Sequence, residues 1–202
     1  MPAALVLAGG RSSRMGRDKA SLPWGEGTLL SATVDRAAMA TGSGPIACVA
    51  APDQSLPPMP GGVEVARDRS QGRGPLEALA AGLHALAGRA ECALVVGCDT
   101  PLLAPAVGRL LLERLGDHDA AVAVAGGRRQ PLLAAYRVNL APTADEVLAG
   151  GRSSLHALLD RVRVTEVCED DLRRVDPDLR SLINCNDDAA YQRALALHAS
   201  GA

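Results

Sequence analysis

The residues best suited to chemistry lie close to the N-terminus and have the composition of a phosphate-binding loop. A short apolar run ends at Gly9 and Gly10, and four cations with two serines among them follow, the last cation being Lys19. Glycines at such a point let the backbone approach a ligand closely, because they carry no Cβ and tolerate positive φ. A solvated charge cluster on a surface loop would have the same composition, so the pattern alone leaves both interpretations open.

Two well-known phosphate-binding motifs do not match this segment. A Walker A loop needs a lysine directly after its last glycine and a hydroxyl residue directly after that lysine, whereas Lys19 trails Gly16 by three residues and precedes Ala20. The dinucleotide-binding fingerprint needs glycines spaced Gly-x-Gly-x-x-Gly, a spacing that Gly9, Gly10 and Gly16 do not provide. The sequence therefore indicates neither of these two folds.

Two acidic residues follow apolar runs farther along the chain. Asp99 comes after the run at 93–98, and Asp68 follows a shorter run at 63–65 and precedes Gly74 by six residues. A carboxylate at the end of a strand can bind Mg²⁺, which typically takes one or two carboxylates together with phosphate oxygens and waters. The competing interpretation makes both residues ordinary turn formers, since aspartate is favoured in turns.

The elements that must position these residues alternate between strand and helix in the first half of the chain. Patterning predicts, in chain order, a strand at 4–8, a helix at 28–40, strands at 45–50 and 63–65, a helix at 76–87, a strand at 93–98, a helix at 105–115 and a strand at 120–125. This alternation is typical of an α/β fold, in which a mostly parallel sheet has helices on both faces. Ligands bind beyond the carboxyl ends of such strands, so the loops after Ala8, Val65 and Cys98 should meet at one edge of the sheet.

The second half of the chain is less regular. Its patterns predict a strand at 130–136, helices at 144–149 and 153–159, alternation at 162–167, an exposed charged segment at 169–180, a final short strand at 182–186 and a closing helix at 187–199. On that final strand Asn184 and Asn186 would point to the same side, although Asn186 could instead cap the last helix. A length of 202 residues suits a single domain, 1–202.

The amino-acid composition argues against some classes of binding partner. The net charge of −2 and the pI near 6.1 provide no overall basic field for nucleic acid or for a membrane surface. One tryptophan and two tyrosines are too few for a base-stacking platform, which argues further against single-stranded nucleic acid. Five scattered cysteines indicate small core residues in a reducing compartment, and no apolar stretch has the length of a membrane span. We therefore expect a cytoplasmic protein that binds neither nucleic acid nor a membrane.

The motifs, taken together, resemble those of the molybdenum cofactor guanylyltransferases, which belong to the wider nucleotidyltransferases. Segment 7–19 is similar to the opening motif of that family, segment 96–101 to its Cys-Asp-Thr/Met-Pro element and segment 74–76 to its Gly-Pro-Leu motif. The resemblance implies a three-layer, Rossmann-like nucleotidyltransferase fold with an antiparallel strand in the second half. It also implies a nucleotide-binding half at 1–125 and an acceptor-binding half at 126–202.

The function that this resemblance implies is the transfer of GMP from GTP to molybdopterin carrying molybdenum, with release of pyrophosphate and formation of the molybdopterin guanine dinucleotide cofactor. The resemblance implies three catalytic residues, Lys19, Arg14 and Asp99. Asp99 would bind Mg²⁺, and Lys19 and Arg14 would offset charge on the triphosphate. The nucleotide-binding residues that the motifs imply are Leu7, Ala8, Gly9, Gly10, Lys19, Asp68 and Asp99. Weaker matches imply acceptor-binding roles for Gln130, Arg152, Asn184 and Asn186. Other proteins of cofactor synthesis and molybdoenzymes are the expected protein partners.

Two positions depart from the family pattern. The family usually continues Gly-Pro-Leu with Ala-Gly, whereas this chain has Glu77-Ala78, and the family's asparagine after the second strand has no counterpart within 49–52. Enzymes with another base or acceptor, such as a molybdopterin cytidylyltransferase or a phospholactate guanylyltransferase, are therefore alternatives, as is a non-catalytic nucleotide-binding protein of the same fold. The Leu-Ala-Gly-Gly form of segment 7–10 favours the guanylyltransferases over their cytidylyl relatives.

Overall fold

The structure is a computed structural model that describes residues 1–9, 18–68 and 74–200. The strands within these residues are β1 Ala3–Leu7, β2 Pro23–Trp24, β3 Gly27–Thr28, β4 Ile46–Ala50, β5 Val63–Arg67, β6 Cys92–Gly97, β7 Ala120–Ala125, β8 Arg128–Arg137 and β9 Val164–Val167. The α-helices are α1 Leu29–Thr41, α2 Pro75–Leu86, α3 Pro105–Leu115, α4 Ala141–Ala149, α5 Leu155–Leu159, α6 Glu169–Arg173 and α7 Asp188–Ala199. None of these helices combines the length and apolar character needed to cross a membrane.

Seven of the strands form one sheet in the order β5-β4-β1-β6-β8-β7-β9. β1 pairs in parallel with β4 and β6, and β4 pairs in parallel with β5, so four neighbouring strands run in the same direction. β8 runs antiparallel to both of its neighbours, β6 and β7, and β9 is parallel to β7. The predicted mostly parallel sheet with an antiparallel strand in the second half is confirmed.

Helices cover both faces of this sheet because its central strands are apolar on both sides. All five residues of β1 are buried. Leu5 belongs to the core beneath α2, α4 and α5, whereas its neighbour Val6 belongs to the core beneath α1, α3 and α6. Successive side chains of a strand point to opposite faces, so one buried strand contributes to two cores. The predicted three-layer arrangement is therefore confirmed.

The predicted final strand at 182–186 is wrong. The chain leaves a single 3₁₀ turn and then runs as irregular backbone. The Cys185 N–H donates to the Asp99 carbonyl at 2.8 Å, but the Asn186 N–H donates back to the Asn184 carbonyl at 2.9 Å. Because the backbone turns back on itself at Asn186, the single hydrogen bond to Asp99 is not followed by the further hydrogen bonds that would form a strand.

Two further expectations for the C-terminal region need correction. The closing helix forms, but its cap is Asp187 rather than Asn186, since the Asp187 carboxylate accepts a hydrogen bond of 2.8 Å from the Ala190 N–H. The charged segment at 169–180 is not uniformly exposed, because it contains α6 and because Asp176 is only 6% exposed. Charge patterning identifies solvated surface in general, but it does not identify an acid that is buried by hydrogen bonding to backbone groups.

A two-stranded hairpin of β2 and β3, which the sequence analysis did not predict, precedes α1. Each of its strands has two residues, too few for an alternating pattern to be visible. Trp24 in β2 is buried in a small core with Leu29 of α1 and Tyr191 of α7. The Tyr191 hydroxyl also donates a hydrogen bond to the Pro23 carbonyl. The last helix therefore packs against an early part of the chain, close to the turn that carries Lys19.

Candidate active site

A cavity at the carboxyl ends of the parallel strands brings together the loops that follow β1 and β6. Its lining comes from these loops, from the start of α2 and from β8, and consists of Leu7, Ala8, Gly9, Asp18, Lys19, Pro75, Ala78, Gly97, Cys98, Asp99 and Leu132. The third predicted loop, after β5, is also present, because Asp68 lies beside Gly9. The order β5-β4-β1-β6 explains this convergence, since these four strands are parallel neighbours and end at the same edge.

Lys19 joins distant parts of the chain within this cavity. Its ammonium nitrogen Nζ lies 3.1 Å from Oδ2 of Asp99 and donates a hydrogen bond of 2.8 Å to Oδ1 of Asn186. The Lys19 and Asp99 side chains are each about one-fifth exposed, so a ligand from solvent can reach the pair. Lys19 and Asp99, which the sequence motifs assign to one site, are in direct contact in the structure.

The turn that carries Lys19 is fixed by the residue before it. Asp18 caps a short 3₁₀ turn, and its Oδ1 accepts a hydrogen bond of 3.1 Å from the Ala20 N–H. Ala20 is fully buried and belongs to the core on the α1 face of the sheet. The backbone around Lys19 is therefore anchored on both sides, by a capping bond before it and by a buried methyl group after it.

Gln54, which the sequence motifs do not indicate, connects the loops around the cavity by hydrogen bonds. Its Nε2 donates to the Ala8 carbonyl at 3.1 Å and to Oδ1 of Asp18 at 3.2 Å, while its Oε1 accepts from the Ala51 N–H at 3.1 Å. One amide thus ties the loops after β1 and β4 to the turn that carries the lysine. A glutamine in a proline-rich loop has no periodicity, so no sequence signal could have identified it.

Two glycines of the cavity lie close to neighbouring atoms, and a Cβ would be slightly crowded at Gly9 and in steric conflict at Gly97. A Cβ on Gly9 would lie 3.3 Å from the Ala51 nitrogen and 3.4 Å from Oδ2 of Asp68. A Cβ on Gly97 would lie 2.7 Å from Oδ1 of Asp99, which is closer than non-bonded carbon and oxygen atoms approach. Glycine at these positions therefore leaves room for the two carboxylates at the edge of the sheet.

Asp68, which lies beside Gly9, and Glu77 are acidic residues whose carboxylates are not fully hydrogen-bonded among the described residues. Burial, and secondly the negative charge of Glu77, raise the pKa of the Asp68 carboxyl to about 6. Glu77, in the first turn of α2, is only 5% exposed. Among the described residues, Oδ1 of Asp68 and Oε2 of Glu77 are buried oxygens without a hydrogen-bond partner. The sequence signal for Glu77 was its departure from the alanine of the family motif.

The structure places Gln130 in a second cleft. Arg128, Pro131 and His156 also line this second cleft. β8 contributes residues to both clefts, because Pro131 lines the second and Leu132 lines the first. Gln130 thus lies outside the cavity that holds Lys19 and Asp99, but on a strand that reaches it.

Arg152 lies in a loop that packs against the start of α2. The carbonyl of the next residue, Ser153, accepts a hydrogen bond of 3.3 Å from the Leu76 N–H. A Cβ on Gly74 would lie 2.8 Å from that same carbonyl oxygen, so glycine there allows the two segments to approach. Arg152 itself is exposed, beside the motif that supplies Pro75 and Ala78 to the cavity.

The remaining predicted residues divide into three groups. Asn186 is brought into contact with Lys19. Asn184 contributes its backbone carbonyl, which accepts from the Asn186 N–H at 2.9 Å. Gly10 and Arg14 lie outside the described residues.

The donor set of the cavity fits a metal ion that arrives together with a phosphorylated ligand. Within the described ranges, no group of three or more His, Cys, Asp or Glu side chains is placed to hold an ion. Asp99 nevertheless offers a carboxylate at a strand end, with Gly97 leaving space beside its Oδ1. Because Mg²⁺ is commonly bound by one or two carboxylates plus substrate phosphates and waters, a single aspartate is sufficient on the protein side.

Known proteins are similar to this chain over most of its length. A family model described as the MobA-like NTP transferase domain matches residues 4–164. A Mycobacterium avium protein named "Probable molybdenum cofactor guanylyltransferase" is 39% identical over 198 residues, which cover 96% of this chain and 94% of that protein. The crystal structure of molybdopterin-guanine dinucleotide biosynthesis protein A from Archaeoglobus fulgidus has a TM-score of 0.76 at 21% identity, over 98% of this chain and 99% of that chain. A Mycobacterium tuberculosis protein solved in complex with manganese has a TM-score of 0.63 at 18% identity, over 96% of this chain and 97% of that chain.

Proposed function

Because the chain belongs to the MobA-like NTP transferase family, we propose that it transfers GMP from GTP to molybdopterin carrying molybdenum and releases pyrophosphate. The product would be the molybdopterin guanine dinucleotide cofactor. The observation that carries the proposal is the meeting of Lys19, Asp99 and the bare backbone of Gly9 in one cavity. The name of the Mycobacterium avium relative, of which the match covers 94%, supports the choice of base and acceptor.

Lys19 supplies positive charge to the triphosphate. In the absence of nucleotide its ammonium group binds Asp99, and a phosphate oxygen replaces that carboxylate when GTP enters. The hydrogen bond to Asn186 keeps the ammonium group in place during this exchange. A cation that is already positioned stabilises charge developing in the transition state without the cost of reorganisation.

Asp99, once released from Lys19, would hold Mg²⁺ together with phosphate oxygens. The bound ion would neutralise part of the charge on the pyrophosphate leaving group. Gly97 keeps the space next to Oδ1 of Asp99 clear, and Thr100 fixes the turn that follows by donating from its hydroxyl to the Gly97 carbonyl at 2.7 Å. The carboxylate is thus presented by a rigid strand end.

The chemical step requires little covalent participation by the protein. An oxygen of the acceptor's terminal phosphate attacks the α-phosphorus of GTP in line, and the bond from that phosphorus to the bridging oxygen of pyrophosphate breaks. Such transfers depend mainly on positioning and charge stabilisation. We assign the anionic acceptor to the second cleft, which contains Arg128 and Gln130 and shares β8 with the first cleft. Arg152, in the loop that packs against the start of α2, is a further cation.

The test is transfer of label from α-labelled GTP in the presence of Mg²⁺ and a panel of phosphorylated acceptors, with pyrophosphate release measured in parallel. We expect both signals with molybdenum-loaded molybdopterin, and competition by unlabelled GTP but not by CTP. Transfer from CTP, or transfer only to a different acceptor, would favour the related nucleotidyltransferases. GTP binding without turnover on any acceptor would favour a non-catalytic role.

A single substitution, Asp99→Asn, tests the proposed role of Asp99. Asp99→Asn should lower the rate of transfer by about 100-fold or more, in line with the loss of one positioned charge-stabilising contact. The rate should also lose its dependence on Mg²⁺ concentration over the range that saturates the wild type. Asp117→Asn, at an exposed position outside the cavity, is the matched control and should retain full activity. An Asp99→Asn enzyme with unaltered Mg²⁺ dependence would contradict the assignment.

A further inference from the structure

The side chain of Gln54 contacts two residues of the cavity from outside it. Its Nε2 donates hydrogen bonds to the Ala8 carbonyl at 3.1 Å and to the two carboxylate oxygens of Asp18 at 3.2 and 3.3 Å. Ala8 and Asp18 both line the cavity, whereas the described residues that line it do not include Gln54. Any effect of Gln54 on a bound ligand therefore passes through these two neighbours.

The loop that carries Gln54 is held in place by Arg67, the last residue of β5. Nη1 of Arg67 donates to three carbonyl oxygens of this loop, those of Ala51 at 2.9 Å, Pro52 at 3.1 Å and Gln54 at 3.0 Å. Oε1 of Gln54 accepts a hydrogen bond of 3.1 Å from the Ala51 N–H. Because the amide oxygen is used within its own loop, the amide NH₂ group is the part that faces the cavity residues.

Asp18 is the negatively charged residue directly before Lys19 in the chain. It is exposed and lines the cavity, so without hydrogen-bond donors its carboxylate could turn toward the ammonium group beside it. Its Oδ1 instead accepts from the Ala20 N–H and from Gln54, and its Oδ2 accepts from Gln54. In the described part of the chain, Lys19 forms its ion pair with Asp99 and not with Asp18. A carboxylate that paired with the lysine would compete with Asp99 and with an incoming phosphate.

We propose that Gln54 is a positioning residue for Lys19, because its amide holds the Asp18 carboxylate away from the ammonium group. The proposal rests on the proposed function, in which that ammonium group binds the triphosphate. When a phosphate oxygen replaces Asp99 at Lys19, the ammonium group is open to other nearby anions, and Gln54 keeps Asp18 from becoming one of them. The same amide ties the turn that carries Lys19 to the loop after β1, through the Ala8 carbonyl.

The variant that tests the proposal is Gln54→Glu. It keeps the size of the side chain and the acceptor for the Ala51 N–H, but it places a second carboxylate where the amide donated to Asp18. Gln54→Ala, which removes the amide without adding charge, serves as a second variant if Gln54→Glu does not fold. Gln192→Glu makes the same change of charge at an exposed position of α7 and is the matched control. Circular dichroism and thermal melting set an assay temperature at which each variant is folded.

The first measurement is the rate of GMP transfer as a function of GTP concentration. Both Gln54 variants should lower kcat about tenfold, because a small displacement of a cation that stabilises developing charge slows the reaction. KM for GTP should change by less than about threefold, since the loss falls mainly on the transition state. In the Asp18→Asn background, Gln54→Glu should lower kcat by only about threefold or less, because the competing carboxylate is absent. Equal losses in the two backgrounds would overturn the proposal.

The second measurement does not depend on turnover. Lys19 is the single lysine of the chain, so ¹³C-labelled lysine gives NMR signals from this side chain alone. The two Hε protons of Lys19 should have distinct chemical shifts in the wild type and in Gln192→Glu, because Asp99 and Asn186 hold the ammonium group. In the Gln54 variants these shifts should move toward the single value of a mobile lysine. Unaltered Lys19 signals would overturn the proposal, since a role confined to the fold leaves the lysine unmoved.

The two measurements separate the positioning role from the proposed function. If GMP transfer occurs while kcat and the Lys19 signals are insensitive to Gln54, the proposed function stands and the positioning role fails. If no acceptor receives GMP while Gln54→Glu shifts the Lys19 signals, the proposed function fails and Gln54 still positions the lysine.

Discussion

Lys19 is the residue on which the proposed chemistry depends most, and it is the single lysine of the chain, since every other basic residue is an arginine. Its ammonium group lies between two oxygen acceptors, on Asp99 and Asn186, that come from opposite ends of the sequence. The ion pair is partly exposed, so its contribution to the free energy of unfolding is small. The residue is therefore suited to a role in binding and catalysis rather than in stability.

Replacing Lys19 with methionine should separate these two roles. We expect Lys19→Met to lower the rate of GMP transfer by about 100- to 1000-fold, because a positioned cation is lost from the triphosphate. The free energy of unfolding should change by less than about 1 kcal/mol, because the pair with Asp99 is reachable by solvent. Pyrophosphate release and urea denaturation measure the two quantities. A variant that keeps the wild-type rate would contradict the role of Lys19 in transfer, and a severely destabilised variant would show that Lys19 has a structural role instead.

Asp68 should make the stability of the protein depend on pH. Its pKa is raised to about 6 in the folded chain, and an aspartate in an unfolded chain has a pKa of about 3.9. Between these values the folded state binds more protons than the unfolded state, so the free energy of unfolding falls as pH rises from about 4 to 6. Asp68→Asn removes the titrating group.

The corresponding measurement is the melting temperature of the nucleotide-free protein at pH 5 and pH 7. The wild type should lose stability relative to Asp68→Asn on going from pH 5 to pH 7, because its buried carboxyl becomes charged over that interval. A constant difference between the two proteins at both pH values would mean that Asp68 is not buried as the structure places it.

At the scale of elements, the segment between α6 and α7 has the largest consequence for the site, because it carries Asn186 to Lys19. Asp176 holds this segment, since its carboxylate accepts hydrogen bonds from the N–H groups of Arg180 at 3.1 Å and Ser181 at 2.8 Å. Both bonds link residues four or five apart and leave the backbone in a compact turn. These hydrogen bonds to the Asp176 carboxylate replace the hydrogen bonds that a strand would have formed with a neighbouring strand.

Removing the Asp176 carboxylate should loosen the whole segment. Asp176→Ala should lower the free energy of unfolding by about 2 kcal/mol, because the buried Ser181 N–H and the partly buried Arg180 N–H lose their acceptor. Transfer activity should fall as well, since Asn186 would be held less firmly against Lys19. Asp178→Ala, at an exposed position in the same segment, is the control and should stay within about 0.5 kcal/mol of the wild type. Equal stability of the two variants, measured by urea denaturation, would contradict this account.

At the scale of the whole molecule, the cavity needs both halves of the chain. Gly9, Lys19 and Asp99 come from the first half, while Leu132 of β8 and Asn186 come from the second. β8 reaches the cavity because it lies antiparallel beside β6, directly next to the strand that presents Asp99. A nucleotide that contacts residues from both halves should therefore stabilise the molecule as a unit.

GTP with Mg²⁺, at 100 times its dissociation constant, should raise the free energy of unfolding by about 2.7 kcal/mol. For a chain of this size that corresponds to a melting temperature higher by about 5–10 °C. ATP at the same concentration should give a smaller shift if the site selects guanine. Differential scanning fluorimetry measures both shifts, and equal shifts for the two nucleotides would contradict selection of guanine.

Much of the fold was predictable because strand ends and helix starts have local causes. The run that forms β1 stops at Gly9 and the run that forms β6 stops at Asp99, as the sequence indicates, and α2 begins at Pro75, one residue before the predicted start. The hairpin of β2 and β3 was not predictable, because two-residue strands have no periodicity. The strand at 182–186 was predicted wrongly, because a short apolar run does not reveal whether neighbouring backbone groups are available to pair with it.

The sequence by itself determined which loops contain the candidate functional residues. The ends of the strands and the residues that follow them can be recognised from consecutive residues in the chain. Only the tertiary structure decided which groups meet: Lys19 with Asp99 and Asn186, and the Gln54 amide with the Ala8 carbonyl. The physical reason is that contacts and burial depend on the packing of segments far apart in the chain. Periodicity within a window of residues carries no information about that packing.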